Sequence, residues 1–380
     1  MISVKIHPFK LERFFAKYEF KAPYLLSSSD CETFTIQEIL DLEEKRDESF
    51  RAVPLGYRET QGGRALREAI TTLYETLEKN QILAFTGAEE GIFVFMNACF
   101  SPGDHIIVQH PAYQSLYELP RSIGCRISKW KIKDGSESWE LNLNDLNQLI
   151  TPNTKAIVIN FPHNPTGAMI KTEQLEKIIE IAKSHNLYLF SDEVYRFLEY
   201  NPDDRLPTVA DLYEKGLSLG VMSKSFGLAG LRIGWIGSQN TKILHKMMKF
   251  KDYTTICNSA PSEWLSTLAL QHKEILLSRN LDIIRKNLIL LDHFFEKYCN
   301  LFEWHRPTAG SIGLVKILID QRADEFCLDV VEAVGVLLVP ATEFDFHNQY
   351  FRIGFGRANL PEALVKFEDY LQNRFYTNST

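Results

Sequence analysis

The six cysteines of this chain, Cys31, Cys99, Cys125, Cys257, Cys299 and Cys327, are scattered with no C-x-x-C pair among them, so neither a disulfide framework nor a zinc site is indicated and a reducing compartment is expected. No His, Cys, Asp and Glu spacing calls for a metal. Long apolar runs are missing too: nothing approaches the roughly 20 residues that span a bilayer, and no membrane partner is expected. Lys10, Glu12, Arg13, Lys17 and Glu19 interrupt the apolar residues near the start, leaving no signal-peptide core, which points to the cytoplasm. Basic excess is absent as well. With 42 Lys and Arg against 49 Asp and Glu, the net charge of -7 supplies no electrostatic footprint for nucleic acid. There are no internal repeats or low-complexity runs. What remains is an ordinary soluble globular composition, 45% hydrophobic and 24% charged, over 380 residues, enough for two or three domains.

The most informative stretch is S-K-S-F-G-L-A-G-L-R, Ser223 to Arg232, which follows an apolar run over 217–222. An amine placed just after a buried strand loses hydration, which favours the neutral, nucleophilic form that attacks carbonyls. Eight positions after Lys224, Arg232 offers a fixed cationic fork suited to a phosphate. An aldehyde on a phosphorylated ring would satisfy both ends. A strand, a Ser/Gly turn and a basic surface edge would also account for the segment.

Ser223-Lys224, Gly227-Leu228, Gly230-Leu231-Arg232 and Gly234 resemble the lysine signature of fold-type-I pyridoxal phosphate (PLP) enzymes, class I/II aminotransferase branch. Other segments fall in the order that resemblance requires. Gly56-Tyr57 with Gly62-Gly63 and Leu66-Arg67 resembles the segment whose tyrosine reaches the cofactor phosphate of a neighbouring subunit, which implies a homodimer; a half-buried loop aromatic is the alternative for Tyr57. The turn at Gly87 opens a helix whose first N–H groups, at Ala88 and Glu89, can hold an anion or simply mark a helix start. Tyr113 occupies the place of the ring that stacks on the pyridine. Asn164-Pro165-Thr166-Gly167 matches the N-P-T-G hallmark, with Asn164 donating to the phenolic oxygen and Pro165 open to a cis bond, although it also serves as a plain turn. Asp192, at the end of a buried strand, would hold the pyridinium nitrogen, and Tyr195 the phenolic oxygen; a cap on the next segment is the other reading. Arg352, among alternating apolar residues, corresponds to the arginine that takes the substrate α-carboxylate, or points outward from an edge strand. Val221 departs from the family, which keeps Ser or Thr there for the phosphate, and this puts more of that contact on Ser223, Ser225 and Arg232.

The apolar runs at 104–109, 125–132, 156–161, 187–191 and 217–222, with helices at 112–121 and 172–185, predict an α/β protein built on a mostly parallel sheet. The periodicity of Leu66, Ile70, Leu73 and Leu77 predicts one helix, and that from Leu277 to Tyr298 a long connecting helix. Beyond it, strands at 313–319, 335–339 and 350–355 and helices at 323–333 and from 361 form a smaller α/β unit. The expected division is an arm, residues 1–50, with a short helix at 36–44, that joins the small domain; a large PLP-binding domain, 51–275, whose sheet is sandwiched by helices; and a small C-terminal domain, 276–380. The resemblance implies PLP held on Lys224 as a Schiff base, with Lys224, Asp192 and Tyr195 catalytic, and an amino group exchanged between an L-amino acid and a 2-oxo acid. Arg352, Asn164 and Ser28 would contact substrate, and Tyr113, Phe20 and the turn Ser27-Ser28-Ser29-Asp30 suggest a medium-sized pocket. That turn also resembles the capreomycidine synthase-like subgroup, so elimination or cyclisation of a β-substituted amino acid is an alternative. A PLP-binding regulatory protein without turnover is a third, although no basic DNA-binding extension supports it.

Overall fold

The computed structural model describes residues 6–135 and 138–376. Its centre is an eight-stranded sheet in the order Ile82–Phe85, Gly234–Gly237, Gly216–Val221, Tyr188–Asp192, Thr154–Asn160, His105–His110, Arg126–Asp134, Trp139–Leu141. Six strands run one way, and only Gly234–Gly237 and Trp139–Leu141 run against them. Helices cover both faces, so the inner strands His105–His110 and Gly216–Val221 are buried at every position, as is the edge strand Ile82–Phe85. The strand Arg126–Asp134 alternates instead, as suits its place near an edge.

Because these strands share a direction, the residues that follow Phe85, His110, Asn160, Asp192 and Val221 emerge on the same side of the sheet. Crossover connections in such sheets leave a crevice at the carboxyl ends. The local punctuation agrees with this geometry: the Asn164–Pro165 bond is cis, as are His110–Pro111 and Phe161–Pro162.

A second, antiparallel sheet has the order Phe302–Trp304, Ile312–Ile317, Tyr350–Gly354, Val339–Pro340. The strand expected at 335–339 is split: Val336–Leu337 pairs in parallel with Tyr24–Leu25 of the N-terminal arm, and Val339–Pro340 turns to the antiparallel sheet. Neither segment could be assigned a partner from periodicity alone. The helix read from Leu66 to Leu77 ends at Thr71; Leu73 and Leu77 are buried in the turn that follows. The arm helix expected at 36–44 stops at Leu40, and a separate short helix, Arg46–Arg51, follows.

The long helix does form, as Lys273–Lys297, 25 residues, or roughly 37 Å at 1.5 Å per residue. Leu276, Leu277, Ile284, Leu288, Leu291, Phe294 and Phe295 make its buried stripe. Two asparagines interrupt that stripe, and each has work at a distance. Asn280 Nδ2 donates to the Ser225 carbonyl at 2.9 Å; Asn287 Nδ2 donates to the carbonyls of Phe355 at 2.9 Å and Arg357 at 2.8 Å. One helix thus ties the loop after Val221 to the strand that carries Arg352. Leu288→Ala empties a fully buried site on it and is expected to destabilise by about 2–5 kcal/mol, read as a lower midpoint of urea unfolding.

Candidate active site

A cavity of about 390 Å³ opens at the carboxyl edge of the main sheet. Lys224 lies in it, on the turn after Gly216–Val221. Its Nζ donates to Ser29 Oγ at 2.7 Å and stands 5.8 Å from the centre of the Tyr195 ring. Ser223 is buried and lines the same wall, as does the apolar side chain of Val221. Ser225 does not. Its hydroxyl donates to the carbonyls of Arg196 at 2.6 Å and Val194 at 3.2 Å, so the expectation that it shares a phosphate is corrected: those carbonyls already take its one proton.

Ala88 and Glu89 begin the helix Ala88–Cys99 directly after Phe85 and Gly87. The first N–H groups of a helix have no carbonyl within it to bind and carry the positive end of its dipole. Gly87 sits at φ +87°, and a Cβ there would lie 2.6 Å from an Arg232 guanidinium nitrogen, so only glycine lets that cation approach the helix start. Backbone donors, Arg232 and Ser223 together make an anion seat. The Glu89 carboxyl accepts from Ser115 Oγ at 2.5 Å through one oxygen, its other oxygen has no hydrogen-bond partner, and burial pushes its pKa up.

Asp192, at the end of its strand, is buried, and the Val194 N–H reaches its Oδ1 at 3.3 Å. Burial pushes its pKa up to about 7, with that N–H and then Lys224 opposing. A carboxylate so desolvated is costly unless a cation meets it. Tyr195 is 1% exposed, and its hydroxyl has no hydrogen-bond partner although it borders the cavity. Asn164 is held by its own N–H to Asn160 Oδ1 at 2.7 Å. Tyr113 lines the wall and donates to Glu12 Oε1 at 3.1 Å.

Across the cavity stands Arg352, fully buried on the strand Tyr350–Gly354 rather than at a solvent-facing edge. Its guanidinium donates to Asn164 Oδ1 at 3.1 Å and the Ser27 carbonyl at 2.8 Å, while Nε has no partner. Among the described residues no carboxylate pairs with it. Buried guanidinium groups are stable when an anion neutralises them, and this one borders an open space. Ser28, buried, is drawn in beside it: a Cβ on Gly354 would fall 1.9 Å from the Ser28 carbonyl oxygen, a contact only glycine permits.

Tyr57 is not in this cavity; it is 88% exposed on the surface. Phe20, expected to help shape the pocket, is 90% exposed, because it follows the helix Lys10–Tyr18 on the side facing away. The face of that helix toward the cavity carries Leu11, Glu12 and Phe15, with Glu19 just beyond its end, and Ser29 and Asp30 complete the wall. The sequence alone places this piece in the arm and assigns none of Leu11, Glu12, Phe15 and Glu19 to the site, although 11, 15 and 19 fall at steps of four.

The cavity tests well for a phosphorylated pyridine aldehyde. It has a lysine amine, an anion seat at a helix start, a buried carboxylate without a cation, and an orphaned phenol aimed inward. Fold and site together define a PLP-dependent enzyme of fold type I. The family model for aminotransferase class I and II matches residues 23–367. A PLP-dependent aminotransferase from Streptococcus suis superposes with a TM-score of 0.92 at 32% identity, covering 98% of this chain and 100% of that one. An aspartate aminotransferase from Sulfolobus acidocaldarius is 30% identical over 336 residues, 85% of this chain and 82% of its own length. Capreomycidine synthase from Streptomyces vinaceus is 24% identical over 365 residues, 95% and 93% of the two chains. The chain belongs to the class I and II aminotransferase family, and its cofactor is pyridoxal 5'-phosphate.

The raised pKa of Asp192 carries a pH signature. Folded, it retains a proton between its ordinary value of 3.8 and about 7 that the unfolded chain releases. Its contribution to stability is therefore greatest below pH 4 and is lost as pH rises toward 7. Asp192→Asn in cofactor-free protein is expected to flatten the thermal midpoint across that window relative to wild type, measured by differential scanning calorimetry at steps of pH.

Proposed function

We propose that this aminotransferase moves an amino group from an L-amino acid to a 2-oxo acid, with PLP joined covalently to Lys224 Nζ. The observation that carries the reading is the buried, carboxylate-free Arg352 facing the Lys224 amine across one cavity. Arg352 takes the substrate α-carboxylate, its fork matched to two oxygens, with Ser28 beside it. Asn164, whose Oδ1 already accepts from Arg352, keeps its Nδ2 donor for the cofactor phenolic oxygen and so couples substrate to cofactor. Tyr195 gives that oxygen its unspent hydroxyl. Asp192 holds the ring nitrogen protonated, Tyr113 covers the ring face, and Ala88, Glu89, Ser223 and Arg232 seat the phosphate.

When bound, PLP supplies an electron-withdrawing ring that stabilises negative charge at the substrate α-carbon. Lys224, its amine free once a substrate amine has taken its place, would be the base that takes the substrate α-proton and holds it for return. Ser29 Oγ, which accepts from Lys224 Nζ at 2.7 Å, holds that amine near the substrate side of the cavity. The walls contributed by Leu11 and Phe15 limit water at the reacting carbon.

Tyr57, 88% exposed beside Leu55 at 83%, suits a homodimer in which each copy offers this phenol to the other's phosphate seat. The pairing of Tyr24–Leu25 with Val336–Leu337 supports an arm, 1–50, that joins a small domain, 276–380, against a large one, 51–275. Six unpaired cysteines suit a reducing compartment, the cytoplasm.

The likeness to capreomycidine synthase favours a second reading, in which the same Lys224 base serves loss of a β-substituent, with or without cyclisation, in place of transamination. Chromatography of the products decides between them: a 2-oxo acid and a new amino acid support the first reading, an eliminated or cyclised product the second.

Lys224→Ala is expected to lose roughly 10²–10⁴-fold in turnover and to give no borohydride-reduced cofactor adduct in peptide mass spectra; an adduct elsewhere would refute the assignment. Tyr57→Phe should leave a dimer by analytical ultracentrifugation but weaken PLP about tenfold, the value of one hydrogen bond to a charged group.

A further inference from the structure

Three cations line the cavity, Lys224, Arg232 and Arg352, and the chemistry proposed above occupies all three. The carboxylates are not used up in the same way. Asp192 is assigned to the ring nitrogen, Glu89 lies at the helix start beside the proposed phosphate seat with one oxygen on Ser115 Oγ and the other unpartnered, and Asp30 is gripped by Arg357 at 2.8 and 3.3 Å. Glu12 and Glu19 remain. Among the described residues neither forms an ion pair; Glu12 accepts one hydroxyl, from Tyr113, and no hydrogen bond reaches the Glu19 carboxylate. Burial and then the negative charges of Asp30 and Glu12 push the Glu19 pKa up from the ordinary carboxylate value, with Arg357 and Lys224 opposing.

Both residues belong to one structural device. The helix Lys10–Tyr18 lies over the cavity with Leu11 and Phe15 one turn apart, Glu12 beside the first and Glu19 one turn beyond the second. This face therefore offers an apolar strip flanked by carboxylates. The opposite wall fixes the other end of any ligand. Arg352 is fully buried with an unpartnered Nε, and Tyr195 is 1% exposed with an unpartnered hydroxyl; both border the cavity, so it is a ligand site rather than a chance collection of acids.

We infer that the amino donor carries an aliphatic side chain ending in a cation, an amine or a guanidinium, with the stem along Leu11 and Phe15 and the charge held by Glu12 and Glu19. The inference rests on the reading of Lys224 and Arg352 given above. A donor with an acidic side chain would set a second carboxylate beside these two, and no unassigned cation lines the cavity to receive it. A neutral donor would leave the half-buried Glu19 carboxylate without a counter-charge at the cavity wall.

The experiment measures binding before turnover. Holoenzyme is titrated calorimetrically with 5-guanidinopentanoate and with 5-ureidopentanoate, two carboxylates of the same length that lack the α-amino group and differ in charge at the far end. The guanidino acid should bind about tenfold tighter or more, as one charge-assisted contact implies, and Glu19→Gln with Glu12→Gln should bring the ratio near one, while Glu19→Asp retains most of it. The same preference should appear in kcat/KM for arginine over citrulline, followed by the spectral change of the bound cofactor. Equal binding of the two acids, or a preference that survives the double variant, overturns the inference and leaves the aminotransferase reading standing. If no amino acid changes the cofactor spectrum, that reading falls and this inference with it.

Discussion

A positive charge buried without a carboxylate organises this molecule. Arg352 lies on the central part of an antiparallel sheet, fully out of water, with a carbonyl and an amide oxygen as its acceptors. Its nearest aromatic surface, Phe344, stands 5.2 Å away and stabilises the cation only modestly. The arrangement is tolerable because the guanidinium borders a cavity where an anion can complete it. The acceptors it does have are informative in themselves: the Ser27 carbonyl comes from the N-terminal arm, and Asn164 from the edge of the main sheet. One side chain therefore joins three distant parts of the chain around the space where chemistry occurs.

The long helix makes that meeting reproducible. Two asparagines on a stripe otherwise apolar cost stability unless their amides are matched, and both are. The amide of Asn280 holds the loop of Lys224, that of Asn287 holds the chain just after Arg352, and the helix between them is packed along a buried apolar stripe. The distance between the amine and the guanidinium is in this sense set by seven residues of α-helix. Ser225, which the motif alone assigns to the phosphate, belongs to this support, its hydroxyl tying the lysine loop to the carbonyls that follow Asp192 and Tyr195.

Charge is distributed across the cavity by the same logic. Lys224, Arg232 and Arg352 line the cavity as cations, in keeping with the proposed seats for phosphate and carboxylate, and Asp192, its carboxyl pushed up to about 7 by burial, is a group that a cation would relieve. The helix Lys10–Tyr18 adds an apolar and acidic roof. Ligand binding then neutralises the protein's own desolvated groups, which makes the energy of binding depend on charge placed in the right order rather than on contact area.

Much of this was legible without coordinates. The parallel sheet followed from apolar runs separated by helices, since strands buried on both faces cannot alternate, and the long helix followed from steps of three and four. Lys224, Asp192, Tyr195, Asn164 and Arg352 could be named because motifs at strand ends depend on local backbone chemistry, which a sequence writes in adjacent residues. What the chain order concealed were contacts made at a distance: the split of 335–339 between two sheets, the exposure of Phe20, the diversion of Ser225, and the arrival of Glu12 and Glu19 over a cavity whose far wall is Arg352. Hydrophobic periodicity reports which face of a segment is buried and nothing about the partner that buries it. The amino-acid order by itself therefore determined the class of fold and nominated the candidate reactive groups, and only the tertiary packing decided which charges stay unneutralised, because that depends on who stands across the cavity.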